Sequence, residues 1–289
     1  MQFNPKILQV SRSDLLGGAE KIAFDLHSEY ANQGLLSWMV VGSKHTDAKN
    51  VIELPSPNGS TFSRMAINLR NWASKKGQQG VPGAWHLSHL ADWLTEPKKK
   101  IFKFLGYEMY SVSGFPNLID LLPKQPDIVH LHNLHSGYFN LQILPKLSKK
   151  IPVVITLHDM WLLTGHCVYS LDCERWKFGC GSCPYLSIPM PIKRDGTRRN
   201  IRVKTDLLRK SEISIVTPSQ WLMDLVDTSG LKPKETRVIP NGIDDEIFKP
   251  GSMAKARHLL NLPQDSVIIL YVTNLVVKVH SKIMACWTG

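Results

Sequence analysis

The stretch "KILQVSRSDLLGGAEKIAFDLHSEYANQG", residues 6–34, decides the fold class of this chain. Its first five residues have the apolar character of a short buried strand. Two glycines, Gly17 and Gly18, come directly before a segment that ends at Gly34. That segment carries an apolar stripe at helical spacing, made of Ile22, Ala23, Leu26 and Tyr30. The stretch therefore predicts a strand, a tight turn and a helix.

Other short apolar runs alternate with helical patterns along the chain. The runs are "SWMVV" (37–41), "DIVHLH" (127–132), "PVVITLH" (152–158), "ISIVTP" (213–218) and "RVIP" (237–240). A further helix is predicted for "PSQWLMDLVDTSG", with Ser219 as its N-cap and Gly230 as its end. Such alternation is typical of a parallel sheet with helices on both faces. The sequence thus predicts an α/β fold with a Rossmann-like, doubly wound parallel sheet.

The alternation of apolar runs with helical patterns changes at two places along the chain. Between residues 55 and 126 it is less regular, and we expect helical excursions and loops added to the sheet. After "VIPNGIDDEIFKPG" a short helix, "SMAKARHLLNL", and one apolar strand, "SVIILYV" (266–272), indicate the start of a second α/β unit. We therefore predict a first domain over residues 1–240, a linker over 241–265 and the beginning of a second domain over 266–289.

Composition favours a globular protein. The chain has 289 residues and is 43% hydrophobic, enough for one large or two ordinary domains. It contains no run of about 18 apolar residues, and its first residues lack the basic and apolar regions of a signal peptide. We expect a cytoplasmic location, where thiols are normally kept reduced.

The charge is strongly positive, with a formal net charge of +11 and a pI near 9.4. Lys and Arg are concentrated in residues 96–104 and 192–210. A solvated basic face without a partner is the plain interpretation. Among partners, an anionic membrane surface is favoured because Ile, Leu and Phe neighbour the basic residues. Nucleic acid is not expected, since no nucleic-acid-binding motif accompanies the charge.

Polar residues follow two of the predicted strands. His158 and Asp159 come at the end of "PVVITL", and "HLHNLHSGYFN" places His130, His132 and Asn133 at the end of another strand. Ligands of open parallel sheets bind outside the carboxyl ends of the strands, so these residues are candidates for chemistry. The alternative for Asp159 is that it only caps the segment after it, and at least one of the histidines is expected only to pack or to bond a loop.

The glycine pair after the first strand has two interpretations. Without Cβ atoms, Gly17 and Gly18 would let a phosphate or sugar approach the amides at the N-terminus of the helix. A paired glycine in this position can equally be only a turn, and the spacing is not that of the dinucleotide motif G-x-G-x-x-G.

Four of the five cysteines lie within one segment, at Cys167, Cys173, Cys180 and Cys183. The last two form a Cys-x2-Cys pair among glycines, which is a good zinc half-site. His166 could replace one cysteine as a ligand. Disulfides or a redox pair, and inert packed thiols, are the alternatives. With four cysteine ligands the site would be closed and structural.

Several motifs together resemble a known family. In order, "GGAE", "HLHNLHSGYFN", "TLHDMWLLTGHC", "GCGSCP", "TPSQW" and "VIPNGID" are similar to the amino-terminal half of family 4 glycosyltransferases, which have the GT-B fold. The cysteine-rich segment, an insertion over residues 160–190, is most similar to that of the bacterial exopolysaccharide and colanic-acid branch. The resemblance covers residues 5–272.

This resemblance implies two Rossmann-like domains, an acceptor-side domain followed by one that binds the nucleotide sugar. It implies transfer of a hexose from a UDP- or GDP-sugar to a glycan or lipid-linked acceptor, with retention at the anomeric carbon. No metal cofactor is required for this chemistry. The resemblance places His158 at the sugar and acceptor site, and together with Asp159 at the same sheet edge it is the catalytic candidate; the substrate-binding candidates are Gly17, Gly18, Glu20, His132, Asn133 and Asn241.

The chain departs from the family after residue 272. The basic pair and the paired-glutamate motif of the second domain do not occur in "TNLVVKVHSKIMACWTG", residues 273–289. We therefore expect a truncated second domain, from a change of reading frame or an early stop near residue 275, and impaired transferase activity. The alternatives are a non-catalytic fragment that binds the acceptor or a membrane surface, and a zinc-stabilised nucleic-acid binder.

Overall fold

The computed structural model describes residues 4–55, 61–79, 81–95, 101–102, 104–108 and 115–269. The chain divides into two compact units, one ending at Gly242 and one beginning at Ile243. The first unit contains a sheet of seven strands. They are β1 (Ile7–Ser13), β2 (Ser37–Ser43), β3 (Val51–Glu53), β4 (Ile128–His132), β5 (Val153–Thr156), β6 (Ile213–Thr217) and β7 (Glu235–Val238).

All neighbouring strands of this sheet are parallel, in the order β3-β2-β1-β4-β5-β6-β7. The strand order reverses between β1 and β4, which is where open α/β sheets bind ligands. The predicted Rossmann-like α/β fold class is thus confirmed. Each predicted strand of this unit forms, whereas β3 was not predicted, because three residues are too few to show an alternating pattern.

The described residues contain α-helices in both units, the last of them in the second unit. They are α1 (Gly18–Asn32), α2 (Thr61–Gln78), α3 (Ala84–Thr95), α4 (Leu144–Leu147), α5 (Thr197–Arg209), α6 (Gln220–Thr228) and α7 (Met253–Leu259). Short 3-10 turns lie at Leu118–Leu121, Leu141–Ile143, Trp161–Leu163 and Arg175–Phe178. As predicted, the Ser219 hydroxyl caps α6 by accepting from the amide of Leu222. None of the helices in these described segments is both long and apolar enough to cross a membrane.

The two faces of the sheet differ in character. One face carries the large hydrophobic core, to which the central strands contribute alternate aliphatic side chains such as Val10, Leu131 and Ile155. The opposite face carries Gln9 and Ser11 of β1 and the histidines of β4. This second face is where the candidate site lies.

Helix α1 covers the polar face over β1 and β2. Its buried residues are Glu20, Ala23 and His27, so the predicted stripe is rotated, with only Ala23 in common. The reason is the polar surface beneath the helix, because His27 Nδ1 lies 2.7 Å from the hydroxyl of Ser37. Apolar periodicity could not show this, since the partner of the helix is itself partly polar.

Most cations of the basic stretch at residues 192–210 are exposed, but Lys204 is buried and Arg199 is half-buried. Helix α5 buries one stripe completely, and that stripe includes Lys204. The guanidinium of Arg199 lies 4.4 Å from the ring centre of Tyr107, and that of Arg194 lies 4.0 Å from that of Phe104. These contacts use apolar surface of the basic side chains in packing. The remaining exposed charges of this helix include Arg198, Arg202 and Arg209.

The second unit contains α7, which the sequence predicted, with Ser252 accepting a hydrogen bond from the amide of Lys255. The strand expected at residues 266–272 is not formed over residues 266–269, where Val267 and Ile269 are exposed. A strand requires a neighbour for its backbone hydrogen bonds, and the described part of this unit offers none. Residues 270–289, with the predicted break near residue 275, lie outside the described residues.

Candidate functional site

The candidate site lies where β1, β4 and β5 end. Two hydrogen bonds join Gln9, His132 and His158 into a row across these three strands. His132 Nε2 lies 2.8 Å from Gln9 Oε1, and His132 Nδ1 lies 3.2 Å from His158 Nε2. The structure therefore brings the two predicted residues His132 and His158 together, and it adds Gln9, which the sequence analysis did not single out.

The donor and acceptor roles along this row of hydrogen bonds follow from the acceptor at its end, the side-chain oxygen of Gln9. The carbonyl oxygen of Gln9 can only accept, so His132 carries its proton on Nε2. His132 Nδ1 then accepts from His158 Nε2. In a neutral His158 ring this leaves Nδ1 as the unprotonated nitrogen. The arrangement fixes both the ring orientation and the tautomer of His158.

Burial keeps these histidines neutral. It lowers the pKa of His130 to about 4 and that of His132 well below its usual value. Burial also lowers the pKa of His158, although the carboxylates of Asp159 and Glu20 oppose the effect. His158 is therefore an uncharged donor and acceptor of hydrogen bonds near neutral pH. His130 bonds the hydroxyl of Thr156 at 2.7 Å, so it has the packing role expected of one histidine.

The turn between β1 and α1 is shaped by Glu20. Its carboxylate is buried and pairs with the guanidinium of Arg12 at 2.9 Å. Gly17 has φ +109°, and a Cβ there would lie 2.3 Å from Glu20 Oε2, so both the backbone and the space require glycine. A Cβ at Gly18 would meet nothing within 4 Å. The first turn of α1 thus opens at the edge of the sheet, as a ligand-binding turn requires.

Asp159 has a clear structural role. Its Oδ1 accepts from the amide of Trp161 at 2.8 Å and so caps the turn Trp161–Leu163. Its Oδ2 lies 3.2 Å from His135 Nε2. The structure thus shows the local hydrogen bond that the capping alternative requires, and Asp159 holds the loop that follows His158, while the catalytic role expected of Asp159 stays a prediction.

A buried cation that the sequence did not indicate supports the same loop. Lys204 is fully buried, donates to the carbonyl of Trp161 at 2.6 Å and lies 3.2 Å from Glu108 Oε2. The indole of Trp161 donates to Glu108 Oε1 at 2.7 Å. Burial lowers the pKa of Lys204, which the charge of Glu108 opposes. No local signal could have separated Lys204 from the exposed cations around it.

Of the other predicted residues, Asn133 directly follows β4, and Asn241 lies apart from the row of Gln9, His132 and His158. Asn133 follows β4 with φ +38°, a conformation that asparagine tolerates better than most residues. Tyr138 donates from its hydroxyl to the carbonyl of His132 at 3.0 Å and thereby fixes the end of β4. Asn241 is exposed in the segment after β7 and is not part of the hydrogen-bonded row.

The cysteine segment forms a separate structure. The thiols of Cys167, Cys173, Cys180 and Cys183 are all free and half-buried. Burial raises the pKa of Cys180 to about 12 and raises that of Cys167 and Cys183. As the side chains stand, no group of three or more His, Cys, Asp or Glu side chains in the described residues is placed to hold a metal ion.

Comparison with known proteins identifies the family. The model of Glycosyltransferase Family 4 matches residues 79–247, more than half of the chain. The chain belongs to glycosyltransferase family 4. The predicted family is therefore confirmed, and the carboxyl edge described above belongs to a sheet of this family.

The relatives are longer than this family 4 chain. It is 27% identical over 256 residues to WcaC of Escherichia coli K12, named as a colanic acid biosynthesis glycosyl transferase, a match covering 84% of this chain and 54% of WcaC. It is 45% identical over 153 residues to the D-inositol 3-phosphate glycosyltransferase of Acidothermus cellulolyticus, covering 53% of this chain and 29% of that enzyme. The chain thus spans about half the length of WcaC.

Solved structures give more distant matches. Anabaena HepE, crystallised with UDP-glucose, has 16% sequence identity and a TM-score of 0.41, and the match covers 89% of this chain and 50% of HepE. A glycosyltransferase from Rickettsia africae has 14% identity and a TM-score of 0.38, covering 91% of this chain and 51% of that protein.

Proposed function

We propose that this chain contributes to transfer of a hexose from a UDP- or GDP-sugar to a glycan or lipid-linked acceptor of exopolysaccharide synthesis, with retention at the anomeric carbon. The family supports glycosyl transfer, and the similarity to WcaC supports an exopolysaccharide pathway. Because the chain spans about half of WcaC, the complete reaction is proposed for the enzyme to which these residues contribute.

The observation that carries the proposal is the position of His158 just after β5, where it is hydrogen-bonded to His132 of β4 beside the strand-order switch. The row through His132 to Gln9 holds its ring in one tautomer. Its unprotonated Nδ1 is suited to accept a hydrogen bond from a sugar hydroxyl, and the neutral ring costs no charge burial. Gln9 Nε2 and Ser11 Oγ, both buried on this face, lack partners among the described residues. A bound water or substrate hydroxyl would satisfy such groups.

The glycine turn would receive the donor diphosphate. The first amides of α1 are directed toward the edge of the sheet, where the helix dipole favours negative charge. Such a site neutralises a leaving diphosphate with backbone amides rather than a bound cation. We therefore expect transfer to continue without added divalent metal.

Sugar transfer by the purified full chain tests the proposal directly. Radiolabelled UDP- and GDP-hexoses would be supplied with a synthetic polyprenyl-diphosphate-linked sugar, and label in the lipid fraction would be measured. Loss of at least tenfold in His158→Ala, with no loss in His86→Ala, is expected, because His86 is an exposed histidine of α3. Equal activity of the two variants would overturn the role of His158.

Acceptor binding separates the proposal from its alternative. If the chain binds the lipid-linked sugar but no nucleotide sugar, and transfers nothing, it is a non-catalytic acceptor-binding module. If acceptor binding depends on His158, the site around His158 is retained, and its function is acceptor binding rather than catalysis. If the chain neither binds the acceptor nor transfers sugar, both proposed functions are contradicted.

We also propose that the first unit contacts an anionic membrane surface at the cytoplasmic face of the plasma membrane, where a lipid-linked acceptor would be found. Helices α2 and α3 pack against each other and leave Met65, Leu69 and Trp72 of α2 exposed on one stripe. Lys75 continues the exposed surface of α2. Apolar and aromatic side chains beside cations are typical of helices at lipid interfaces.

Vesicle co-sedimentation tests this partner. We expect binding to phosphatidylglycerol vesicles, weaker binding to phosphatidylcholine vesicles and a severalfold loss in Trp72→Ser. Trp221→Ser is the matched control, because Trp221 is equally exposed but lies on α6. Binding to neither vesicle type would contradict the membrane proposal, while salt-dependent binding of DNA instead would favour a nucleic-acid partner.

A further inference from the structure

The four cysteines of the cysteine segment line one small cavity. Cys167, Cys173, Cys180 and Cys183 surround it together with His166. Its volume is about 20 Å³, roughly the room that a single water molecule or small ion needs. Spacing along the chain did not require this convergence, since six residues separate Cys173 from Cys180.

His166 is oriented as a metal ligand would be. It is 1% exposed, and its Nδ1 lies 3.0 Å from the carbonyl oxygen of Met190. A carbonyl can only accept, so Nδ1 carries the proton and Nε2 has the lone pair. Nε2 lies 3.5 Å from the sulfur of Cys183. A ring that donates one N–H to a backbone carbonyl and presents its other nitrogen to a metal is the usual arrangement of histidine ligands.

The Cys-x2-Cys segment is held in an unusual conformation beside the cavity. Four successive residues, Gly179 to Ser182, have positive φ values of 95°, 56°, 94° and 50°. Hydrogen bonds to residues at and just before the start of α5 fix the position of this segment. The amide of Gly181 donates to the hydroxyl of Thr197 at 2.9 Å, and the amide of Cys183 donates to Asp195 at 2.8 Å. Left-handed conformations at non-glycine residues persist where the surroundings fix them.

We propose that this cavity binds one structural zinc ion, with His166 and Cys183 as two of its four ligands and two of the thiolates of Cys167, Cys173 and Cys180 as the other two. The sulfurs surround the cavity without converging on its centre, as the absence of a ready metal group among the described residues shows. One torsion, χ1, sets the direction of a cysteine sulfur, so rotation between staggered positions brings it inward. The zinc proposal does not rest on the proposed sugar transfer.

Zinc here would join the cysteine segment to the start of α5. That helix also carries Lys204, which holds the carbonyl of Trp161 next to the loop of Asp159. The ion would therefore stabilise the loop that follows His158 without touching a substrate. Closed sites of cysteine and histidine ligands have this structural role in many proteins.

Metal analysis of the full chain, purified without a histidine tag, tests the proposal. We expect about one zinc per chain, lost by at least fivefold in both His166→Gln and Cys183→Ser. Cys286→Ser is the matched control and should keep its zinc, because Cys286 lies outside the cysteine segment. Replacement by Co²⁺ should give the visible absorption of tetrahedral cobalt and charge-transfer bands from thiolate ligands.

Two results would overturn the proposal. The first is a folded, metal-free protein that binds no Co²⁺ and whose thiols alkylate at the same rate with and without added zinc. The second is full zinc content in His166→Gln, which would remove His166 from the ligand set. If the variants do not fold, the cobalt spectrum and the thiol protection of the unaltered chain still decide the question.

Discussion

On one face of the central strands, Val129, Leu131 and Ile155 pack among other aliphatic side chains. On the opposite face His130 is hydrogen-bonded to Thr156, and His132 to Gln9 and His158. The same backbone carries both faces, since side chains alternate along a strand. The apolar face gains stability from burial in proportion to area. The polar face gains little net stability from its hydrogen bonds but fixes the orientation and tautomer of each ring.

The largest contrast between the two faces should appear in a matched pair of substitutions. Val129→Ala removes methyl groups from a side chain with no exposure on the apolar face, and we expect the free energy of unfolding to fall by about 2–3 kcal/mol. Val154→Ala makes the same change at a half-buried position on the other face, where a loss below about 1 kcal/mol is expected. Urea denaturation measures both, and equal losses would mean that the faces are equally well packed.

A fall in pH from 7.5 to 5 should lower the free energy of unfolding through the buried histidines of the polar face. Burial lowers the pKa values of His27, His130, His132 and His158 in the folded state, so the unfolded chain binds more protons below about pH 6.5 and stability falls as the pH falls. For His130, a pKa of about 4 against about 6.5 when unfolded corresponds to a loss of about 2 kcal/mol at pH 5. Thermal unfolding between pH 7.5 and 5 measures this loss.

A variant separates this effect from general acid denaturation. His130→Gln removes one of the four titrating groups and should reduce the fall in stability between pH 7.5 and 5 by about that amount. Val154→Ala lies on the same face but removes no titrating group, so its pH dependence should equal that of the unaltered chain. A midpoint that does not change with pH in the unaltered chain would show that these rings take up protons in the folded state as they do in the unfolded chain.

The two faces also differ in how far the sequence could predict them. Strands such as β4 and β5 were predictable because each buries a short aliphatic run, and the location of His132 and His158 at the strand ends followed from those runs. The bond from His132 to Gln9 was not predictable, since it joins residues 123 positions apart. The burial of Lys204 against Glu108 likewise depends on a distant segment rather than on the local pattern.

The cysteine segment illustrates the same limit. Its Cys-x2-Cys spacing indicated a half-site for a metal. Which other donors complete the site depends on how the loop folds back, and the structure places His166 beside Cys183. A local motif therefore suggested the chemistry and the candidate donors, while the orientation of His166 depends on its long-range contact with Met190.

The smallest effect on stability should come from Gly18 of the glycine turn, where two neighbouring residues separate the structural and functional requirements. Gly17→Ala places a side chain at φ +109° and against the buried carboxylate of Glu20, so we expect a loss of about 1–2 kcal/mol. Gly18→Ala adds a methyl group to open space at the first residue of α1, where stability should stay equal or rise by a few tenths of a kcal/mol.

Sugar transfer by the same two variants decides what the turn is for. If the diphosphate lies against the amides of this turn, the methyl group of Gly18→Ala occupies its space and lowers transfer severalfold while the protein remains fully folded. If the glycine pair is only a turn, Gly18→Ala transfers sugar at the unaltered rate, and only Gly17→Ala is affected, in proportion to its lost stability. The comparison therefore separates a binding turn from a structural one, because the conformational requirement lies at Gly17 and the open space lies at Gly18.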